Sequence, residues 1–251
     1  MPIQKTEAIL LKKQDLRETS LILTFYTKDF GKIKGIVRGV RGTRGQHIGG
    51  GALEIFAHDE IVFYERRKAG IYTVSQCDLI DFFSPIRGSL EKLTHALYLT
   101  ELLDSVTSVP DKDRVIFELL LDCLKLLSAD ASPKRVARIF EIKLLDFIGM
   151  MPALTNCASC GGAIDPGARF SFAHGGMACK RCAAAAGGTV PILAGTVKFM
   201  EYVRGSPFEK AARIKVAAKV GEELEAILRK FLDFHIERRL NTVKFLKEIA
   251  R

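Results

Sequence analysis

The sequence lacks any run of roughly 18 apolar residues, the length that a membrane-spanning helix requires. Its first residues, MPIQKTEAILLKKQD, do not form a secretion signal, because the apolar stretch is short and Lys12 and Lys13 follow it at once. We therefore expect a cytoplasmic protein with no membrane partner.

Motifs of the common enzyme classes are also absent. There is no Walker phosphate loop, no His-Glu-x-x-His, no nucleophile elbow and no Asp/Glu cluster suited to two-metal nuclease chemistry. The glycine string GQHIGGG lacks the Gly-Lys-Ser/Thr ending that a phosphate loop needs. The sequence therefore predicts a protein that is not an enzyme, with no catalytic residue and no small-molecule substrate.

Acidic residues are outnumbered, since 38 Lys and Arg face 29 Asp and Glu and give a formal net charge of +9. A basic surface favours an acidic partner, and nucleic acid is the commonest such partner in the cytosol. Many soluble proteins are basic for no specific reason, so the position of the charge matters more than its sum.

The first 80 residues contain five short runs rich in β-branched and aromatic residues, with no helical period. They are separated by turn segments and read TEAILLKK, SLILTFYT, GKIKGIVRG, GALEIFAHDEIVFYE and GIYTVSQCDLI. Five strands at this spacing predict a small antiparallel barrel of the OB type. Along the third run, Lys34 and Arg38 have the same parity and are expected to share a face.

After Pro85 the apolar spacing becomes helical. SLEKLTHALYLTELLDSV, DRVIFELLLDCLKLL, SPKRVARIFEIKLLDFIG and the later KVAAKVGEELEAILRKFLDFHIERRL predict helices, with Ser89 and Ser132 as N-caps and Gly149 just past a helix end. The predicted class is α+β: an OB-fold domain over residues 1–80 and a helical domain over residues 81–251, interrupted by a cysteine-rich element at residues 153–186.

That element holds two Cys-x-x-Cys pairs, Cys157 with Cys160 and Cys179 with Cys182. The glycine pairs Gly161-Gly162 and Gly175-Gly176 permit the tight turns that such chelating pairs need. Four thiolates suit one tetrahedral Zn²⁺, and this closed ligand shell predicts a structural rather than a catalytic metal. A redox dithiol and a degenerate site that has lost its metal are the alternatives.

Three other side chains near or outside this element have simpler interpretations. His174 lies between the two pairs, where it is read as an ordinary loop residue because four cysteines already fill the shell. Cys77 and Cys123 are interpreted as small buried hydrophobic residues.

A second unusual stretch, residues 25–45, concentrates positive charge around a predicted hairpin with Asp29 as its only acid. Cations that follow phosphates, with aromatic rings that stack on bases, are typical of single-strand binding. The candidate DNA-binding residues are Lys28, Lys32, Lys34, Arg38, Arg41 and Arg44, with Tyr26 and Phe30 as candidates for base stacking. The alternative is a solvated charged face with both aromatic rings buried in the barrel core.

These pieces resemble the RecO family of bacterial recombinational-repair mediators. The resemblance covers essentially the whole chain and is most specific in ETSLILTFYTKDFGKIKGIVRGVR, followed by NCASCG and CKRC after LLDFIGMMPAL. It implies an OB-fold domain, a helical domain and a zinc-binding element. It also implies a nucleoid-associated, non-enzymatic protein that binds single- and double-stranded DNA and anneals complementary strands.

The resemblance further implies cooperation with RecR and contact with the C-terminal tail of single-strand-binding protein, so that the RecA recombinase is loaded onto coated DNA. Lys32, Lys34, Arg38 and Arg41 fall in the family pattern around GKIKGIVRGVR and are thereby assigned to DNA, whereas Arg44 and His47 match less well. The four cysteines match the zinc positions. Some family members lack the full set, which implies that the metal is not essential to the shared activity.

Composition alone leaves one other binding function open. OB barrels and zinc ribbons also occur in factors that act on ribosomal or transfer RNA, so an RNA-binding protein is the alternative function.

Overall fold

The computed structural model describes residues 3–16, 20–38, 53–65, 70–109, 112–129, 131–236 and 238–249. The chain forms two compact units. The first contains residues Met1–Lys134 together with the returning end Leu240–Arg251, and the second contains Arg135–Arg239. None of the described helices is both long and apolar enough to cross a membrane.

Five strands in the first unit close into a barrel, as the sequence predicts. They are β1 (Ile3–Leu16), β2 (Ser20–Thr27), β3 (Gly31–Arg38), β4 (His58–Glu65) and β5 (Tyr72–Asp81), in the order β1-β2-β3-β5-β4, with β4 also paired to β1. All neighbours are antiparallel except β3 and β5. This strand order and closure confirm the OB-type barrel.

The barrel interior is filled by the alternating apolar residues of each strand. Its core includes Leu10, Leu23, Phe25, Ile33, Val37, Ile61, Phe63, Val74 and Cys77. Gly35 lies where β3 meets β5, and a Cβ atom there would stand 2.6 Å from Val74 Cγ2. The glycine therefore permits the close approach of the two strands that completes the barrel.

Helices α1 (Ser84–Arg87), α2 (Leu90–Val106) and α3 (Arg114–Ser128) follow the barrel within the first unit. Ser89 caps α2 as predicted, because its side chain accepts from the backbone N–H of Lys92, and Asp113 caps α3 in the same way through Val115. The cap residues therefore set where both helices begin.

The second unit starts at Arg135, within helix α4 (Pro133–Phe147), and next contains the small sheet of the cysteine-rich element. Its further elements are β6 (Arg169–Ser171), β7 (Gly176–Ala178), α5 (Lys180–Ala185), β8 (Thr189–Val190), α6 (Ala194–Gly205), α7 (Phe208–Arg213) and α8 (Ala218–His235). Gly149 has φ of +71°, as expected just past the end of α4. The three strands form a sheet in the order β7-β6-β8.

The last helix, α9 (Thr242–Ile249), returns to the first unit and packs against α2. Glu101 on α2 accepts hydrogen bonds from the backbone N–H groups of Asn241 and Thr242, at 2.9 and 2.8 Å, and from both of their side chains. A residue of α2 thus satisfies the donors at the start of α9.

Candidate nucleic-acid interface and metal centre

The predicted basic residues of β3 lie on its outer face, opposite the core residues Ile33 and Val37. Lys34 and Arg38 are exposed and share that face, as their parity predicts. Among the described residues, neither has an ion-pair partner. Both side chains are therefore available to an anionic ligand.

Lys32 lies on the same face but is only 5% exposed. Its Nζ lies 2.7 Å from Asp104 Oδ1 and donates to the backbone carbonyls of Asp104 and Thr107 at 2.6 and 2.9 Å. The ammonium group thus satisfies carbonyls at the C-terminal end of α2. A lysine held in this way does not present its charge to a phosphate, so its position differs from the one that the sequence suggested.

Lys28 is held at the turn between β2 and β3. Its Nζ lies 2.5 Å from Glu7 Oε1, and His58 Nε2 lies 3.0 Å from the other oxygen of Glu7. The hydrogen bond from Lys28 lowers the pKa of the Glu7 carboxyl, whereas burial lowers the pKa of His58. Lys28 is half-buried in an ion pair and is less available to a ligand than Lys34.

The two aromatic candidates pack inside the first unit. Tyr26 is fully buried, and its hydroxyl group lies 3.4 Å from the carbonyl oxygen of Asp113. Phe30 is partly buried against the barrel core, with its ring edge-on to Phe63 at 5.2 Å. These positions fit core burial, the alternative to base stacking.

The strand register defines a larger surface, here called the basic strand face. Its three rows cross β1, β2 and β3: Lys12–Thr24–Lys34, Gln14–Ile22–Ile36 and Leu16–Ser20–Arg38. The rows hold three cations and no acid. Thr24, between Lys12 and Lys34, is buried, and the side chains of Ile22 and Ile36 at the centre are half-buried. Neighbouring strands are about 4.8 Å apart, so the Cα atoms of Lys12 and Lys34 are separated by about 10 Å.

Lys12 is the residue of this face that sequence reasoning missed. Simple alternation from the inward-facing Leu10 would turn Lys12 into the barrel. A register shift between Leu10 and Lys12 turns it outward instead, opposite Thr24. Four consecutive apolar residues, Ala8 to Leu11, followed by two lysines were the available signal for such an irregularity.

The remaining predicted DNA-binding residues, Arg41 and Arg44, and the weaker candidate His47 lie outside the described residues.

The four predicted metal ligands come together in the second unit. The Sγ atoms of Cys157, Cys160, Cys179 and Cys182 all lie within 4.8 Å of one another, and those of Cys160 and Cys179 are 3.9 Å apart. Bonds of about 2.3 Å in a tetrahedral ZnS₄ centre place the sulfurs about 3.8 Å apart. The cluster therefore has the donor set and nearly the dimensions of a closed four-sulfur site.

Tight turns bring the thiols to this point. Gly161 and Gly175 adopt φ of +72° and +71°, which confirms the need for glycine at those turns. The backbone N–H of Cys179 donates to Cys157 Sγ at 3.3 Å. This hydrogen bond, with a second one from the N–H of Cys160, lowers the pKa of Cys157 to about 6 and favours the thiolate that a metal binds.

The other predicted assignments near the cysteines are also resolved. His174 Nδ1 lies 2.9 Å from Ser171 Oγ, and His174 is not part of the thiol cluster. Cys77 and Cys123 are fully buried, as the sequence predicts, and both are free thiols.

Two family models match the chain on either side of the junction between barrel and helices. Residues 1–83 match the model described as Recombination protein O N terminal, and residues 87–244 match Recombination protein O C terminal.

Curated relatives align over nearly the full length. The DNA repair protein RecO of Desulforamulus reducens is 33% identical over 252 residues, covering 100% of this chain and 96% of the relative. The RecO proteins of Pelotomaculum thermopropionicum and Syntrophus aciditrophicus are each 33% identical over 251 residues; these alignments cover 100% and 98% of this chain and 96% of each relative.

Proposed function

The chain belongs to the recombination protein O family, RecO, and from this premise we propose that it is a non-enzymatic DNA-binding mediator of recombinational repair. It binds single- and double-stranded DNA and anneals complementary strands. With RecR, and through contact with the tail of single-strand-binding protein, it helps to load RecA onto coated DNA. It acts in the bacterial cytoplasm, on the nucleoid.

The basic strand face is the observation that carries this proposal. Lys12, Lys34 and Arg38 surround a partly exposed apolar centre on strands β1 to β3, the face that OB barrels use for oligonucleotides. Arg41 and Arg44 continue the same run of cations in the sequence. Lys28 and Lys32 are assigned instead to ion pairs that fix the hairpin and the end of α2.

Annealing by such a surface requires no cofactor. Neutralised phosphates repel one another less, and base pairing supplies the driving force. Contacts to phosphate rather than to base edges give little sequence preference, and they give binding that weakens steeply with salt.

The test replaces Lys12, Lys34 and Arg38 with Gln and measures oligonucleotide affinity against salt. The variant has three fewer cations to pair with phosphates, and each such pair contributes about 0.7 to the salt slope on a single strand. The slope of log K against log salt should therefore fall in magnitude by about 2. The matched control replaces Lys5, Arg114 and Lys125, three exposed cations already held in ion pairs. An equal loss in the control would show that net charge, not the basic strand face, governs binding.

Two further experiments test the choice of DNA over RNA and the mediator role. Titration with RNA of the same sequence separates DNA binding from the ribosomal or transfer RNA alternative, which tighter RNA binding would favour. Annealing of strands coated with single-strand-binding protein, with and without RecR, tests the mediator role. Unaltered annealing rates after addition of the protein would contradict it.

For the cysteine cluster we propose one structural zinc ion. Cys157, Cys160, Cys179 and Cys182 would hold it, and it would supply a cross-link rather than a reactive centre because no coordination position stays open. Metal analysis should give about one zinc per chain. A folded, metal-free protein purified without chelators would exclude the assignment.

A further inference from the structure

A second group of exposed cations lies in the second unit, far along the sequence from the basic strand face. It comprises Lys210, Arg213, Lys215 and Lys219 and is called the α7–α8 basic segment. Residues 208–221 contain only one acid, Glu209, and the next acids are Glu222 and Glu223 on α8. Among the described residues none of the four cations has an ion-pair partner, whereas the nearby Arg204 is paired with Asp146.

The four cations follow one another along α7, the segment after it and the start of α8. Lys210 and Arg213 are three residues apart on α7 and therefore neighbours on one side of the helix. Between α7 and α8 the chain is non-helical and its exposure alternates, with Arg213, Lys215 and Ala217 exposed and Ile214 and Val216 half-buried.

These charges do not stabilise the fold in which they lie. No carboxylate is paired with any of the four cations among the described residues, so ion pairing within the fold does not account for them. Lys219 is in the first turn of α8, where a cation opposes the helix dipole and an acid would be the stabilising choice. Their arrangement is therefore better explained by an external anion than by stability.

The shape of that anion follows from what surrounds the cations. Residues 208–221 contain no exposed large hydrophobic side chain. Acidic protein partners are usually anchored by apolar side chains at the centre of the contact. A succession of cations without such anchors suits a repeating phosphate backbone, which needs charge at regular intervals and no apolar pocket.

We propose that the α7–α8 basic segment binds the phosphate backbone of a second DNA strand while the first strand occupies the basic strand face. The proposal rests on the proposed function and deepens it. Annealing requires two strands to be held and their charges neutralised at the same time. One chain would then do so with two separate surfaces, one on each compact unit.

The experiment uses the full-length protein with two different, non-complementary oligonucleotides. Protein saturated with an unlabelled, immobilised first strand is titrated with a fluorescent second strand. Replacing Lys210, Arg213, Lys215 and Lys219 with Gln should leave the first-strand affinity within about two-fold and weaken second-strand capture at least ten-fold. The salt slope of second-strand capture should fall in magnitude by about 3, since each of the four cations contributes about 0.7.

A matched control removes four exposed cations that already have carboxylate partners: Lys5, Arg114, Lys125 and Arg204. This control should retain second-strand capture. Unchanged capture in the basic-segment variant would overturn the proposal, as would an equal loss of both affinities, which indicates one continuous footprint. If the variant loses binding of polyglutamate but keeps the second strand, the partner is an acidic protein and the proposal fails.

The proposed function can fail separately. Wild-type protein that binds no first strand would refute DNA binding altogether, whereas normal first-strand binding without second-strand capture would refute only the second surface.

Discussion

Lys32 and Lys34 lie two residues apart on β3 and point to the same side of the strand, but only Lys34 is exposed. Lys32 pairs with Asp104, whose side chain is 11% exposed. Replacing Lys32 with Met would remove the ammonium group that pairs with this carboxylate and that donates to two backbone carbonyls. Loss of one partner from a buried pair typically costs about 3–5 kcal/mol, so we expect a clearly lower free energy of unfolding in denaturant titration.

The matched variant is Lys34→Met, which makes the same chemical change on the same face. It should leave the free energy of unfolding within about 0.5 kcal/mol, because an exposed unpaired lysine contributes little to stability. It should instead weaken oligonucleotide binding. Equal destabilisation by both substitutions would contradict the contrast between a structural and a ligand-binding lysine.

Asp59 is a carboxylate inside the barrel, on the same side of β4 as Ile61 and Phe63. Neither of its oxygens has a hydrogen bond of good geometry to a described residue. Burial raises the pKa of Asp59 to about 7, against an ordinary value of 3.8. The folded protein therefore keeps this proton at pH values where the unfolded chain has lost it.

Because of this difference, Asp59 makes the free energy of unfolding depend on pH. Stability is lost as pH rises from about 4 through about 7, because the unfolded state is progressively favoured by ionisation. Asp59→Asn removes this dependence, so its stability relative to wild type should rise by up to about 4 kcal/mol over that range. Urea unfolding at several pH values measures it, and parallel profiles for the two proteins would contradict the assignment.

At the scale of elements, β7 and the segment around Ala153 approach each other closely within the cysteine-rich element. Ala153 N–H donates to Gly175 O at 3.0 Å, and Met177 N–H donates to Ala153 O at 2.7 Å. A Cβ atom on Gly176 would lie 2.3 Å from Ala153 O. Gly176→Ala must separate these backbones, and we expect a loss of about 2 kcal/mol or more together with weaker metal retention.

Gly187→Ala, one residue beyond the same element, provides the comparison, because a Cβ atom there meets no atom within 4 Å. Thermal unfolding and the rate of zinc release to a chelator should distinguish the two variants. Similar behaviour of both would mean that the contact with Ala153 does not hold the element together.

Features determined by neighbouring residues could be read from the sequence. The bounds of β2, the Ser89 cap and the four clustered cysteines depend on alternation, capping and short spacing, all of which are local. The shared face of Lys34 and Arg38 was likewise predicted from their spacing along a single strand. These are the parts of the fold and of the site where prediction and structure agree.

Features determined by residues distant in the sequence could not be predicted from it. Parity assigns Lys32 to the outer face of β3 but does not reveal that α2, some 72 residues later, covers it. Helix α6 was missed for a related reason: its start lacks a local cap, and Glu223 of α8 instead accepts from the N–H of Leu193 and from the Thr196 hydroxyl. Tertiary contacts here replace the local signals on which sequence reading depends.

For the whole molecule, the residues of the proposed metal site belong to the second unit and those of the basic strand face belong to the first. The barrel has its own core of buried residues in the first unit. Around the four thiols, by contrast, the buried cluster is small and consists of Cys157, Ala178, Cys179 and Ala183, with Ile164 and Cys182 packed against it. The larger buried side chains of the element, Phe170, Phe172 and Met177, do not belong to this cluster. The segment that carries the thiols therefore has few apolar neighbours of its own, and we expect a metal cross-link to contribute to its stability.

Metal removal should therefore affect the two units differently. A chelator should lower the unfolding temperature of the second unit, because ligand binding to the folded state contributes directly to its stability. Affinity of the basic strand face for an oligonucleotide should stay within about two-fold, since none of its residues belongs to the metal cluster. Calorimetry with parallel binding titrations measures both, and Cys160→Ser should reproduce the effect and respond no further to chelator. If first-strand affinity disappears together with the metal, the barrel depends on the zinc element and the separation of duties between the two units is refuted.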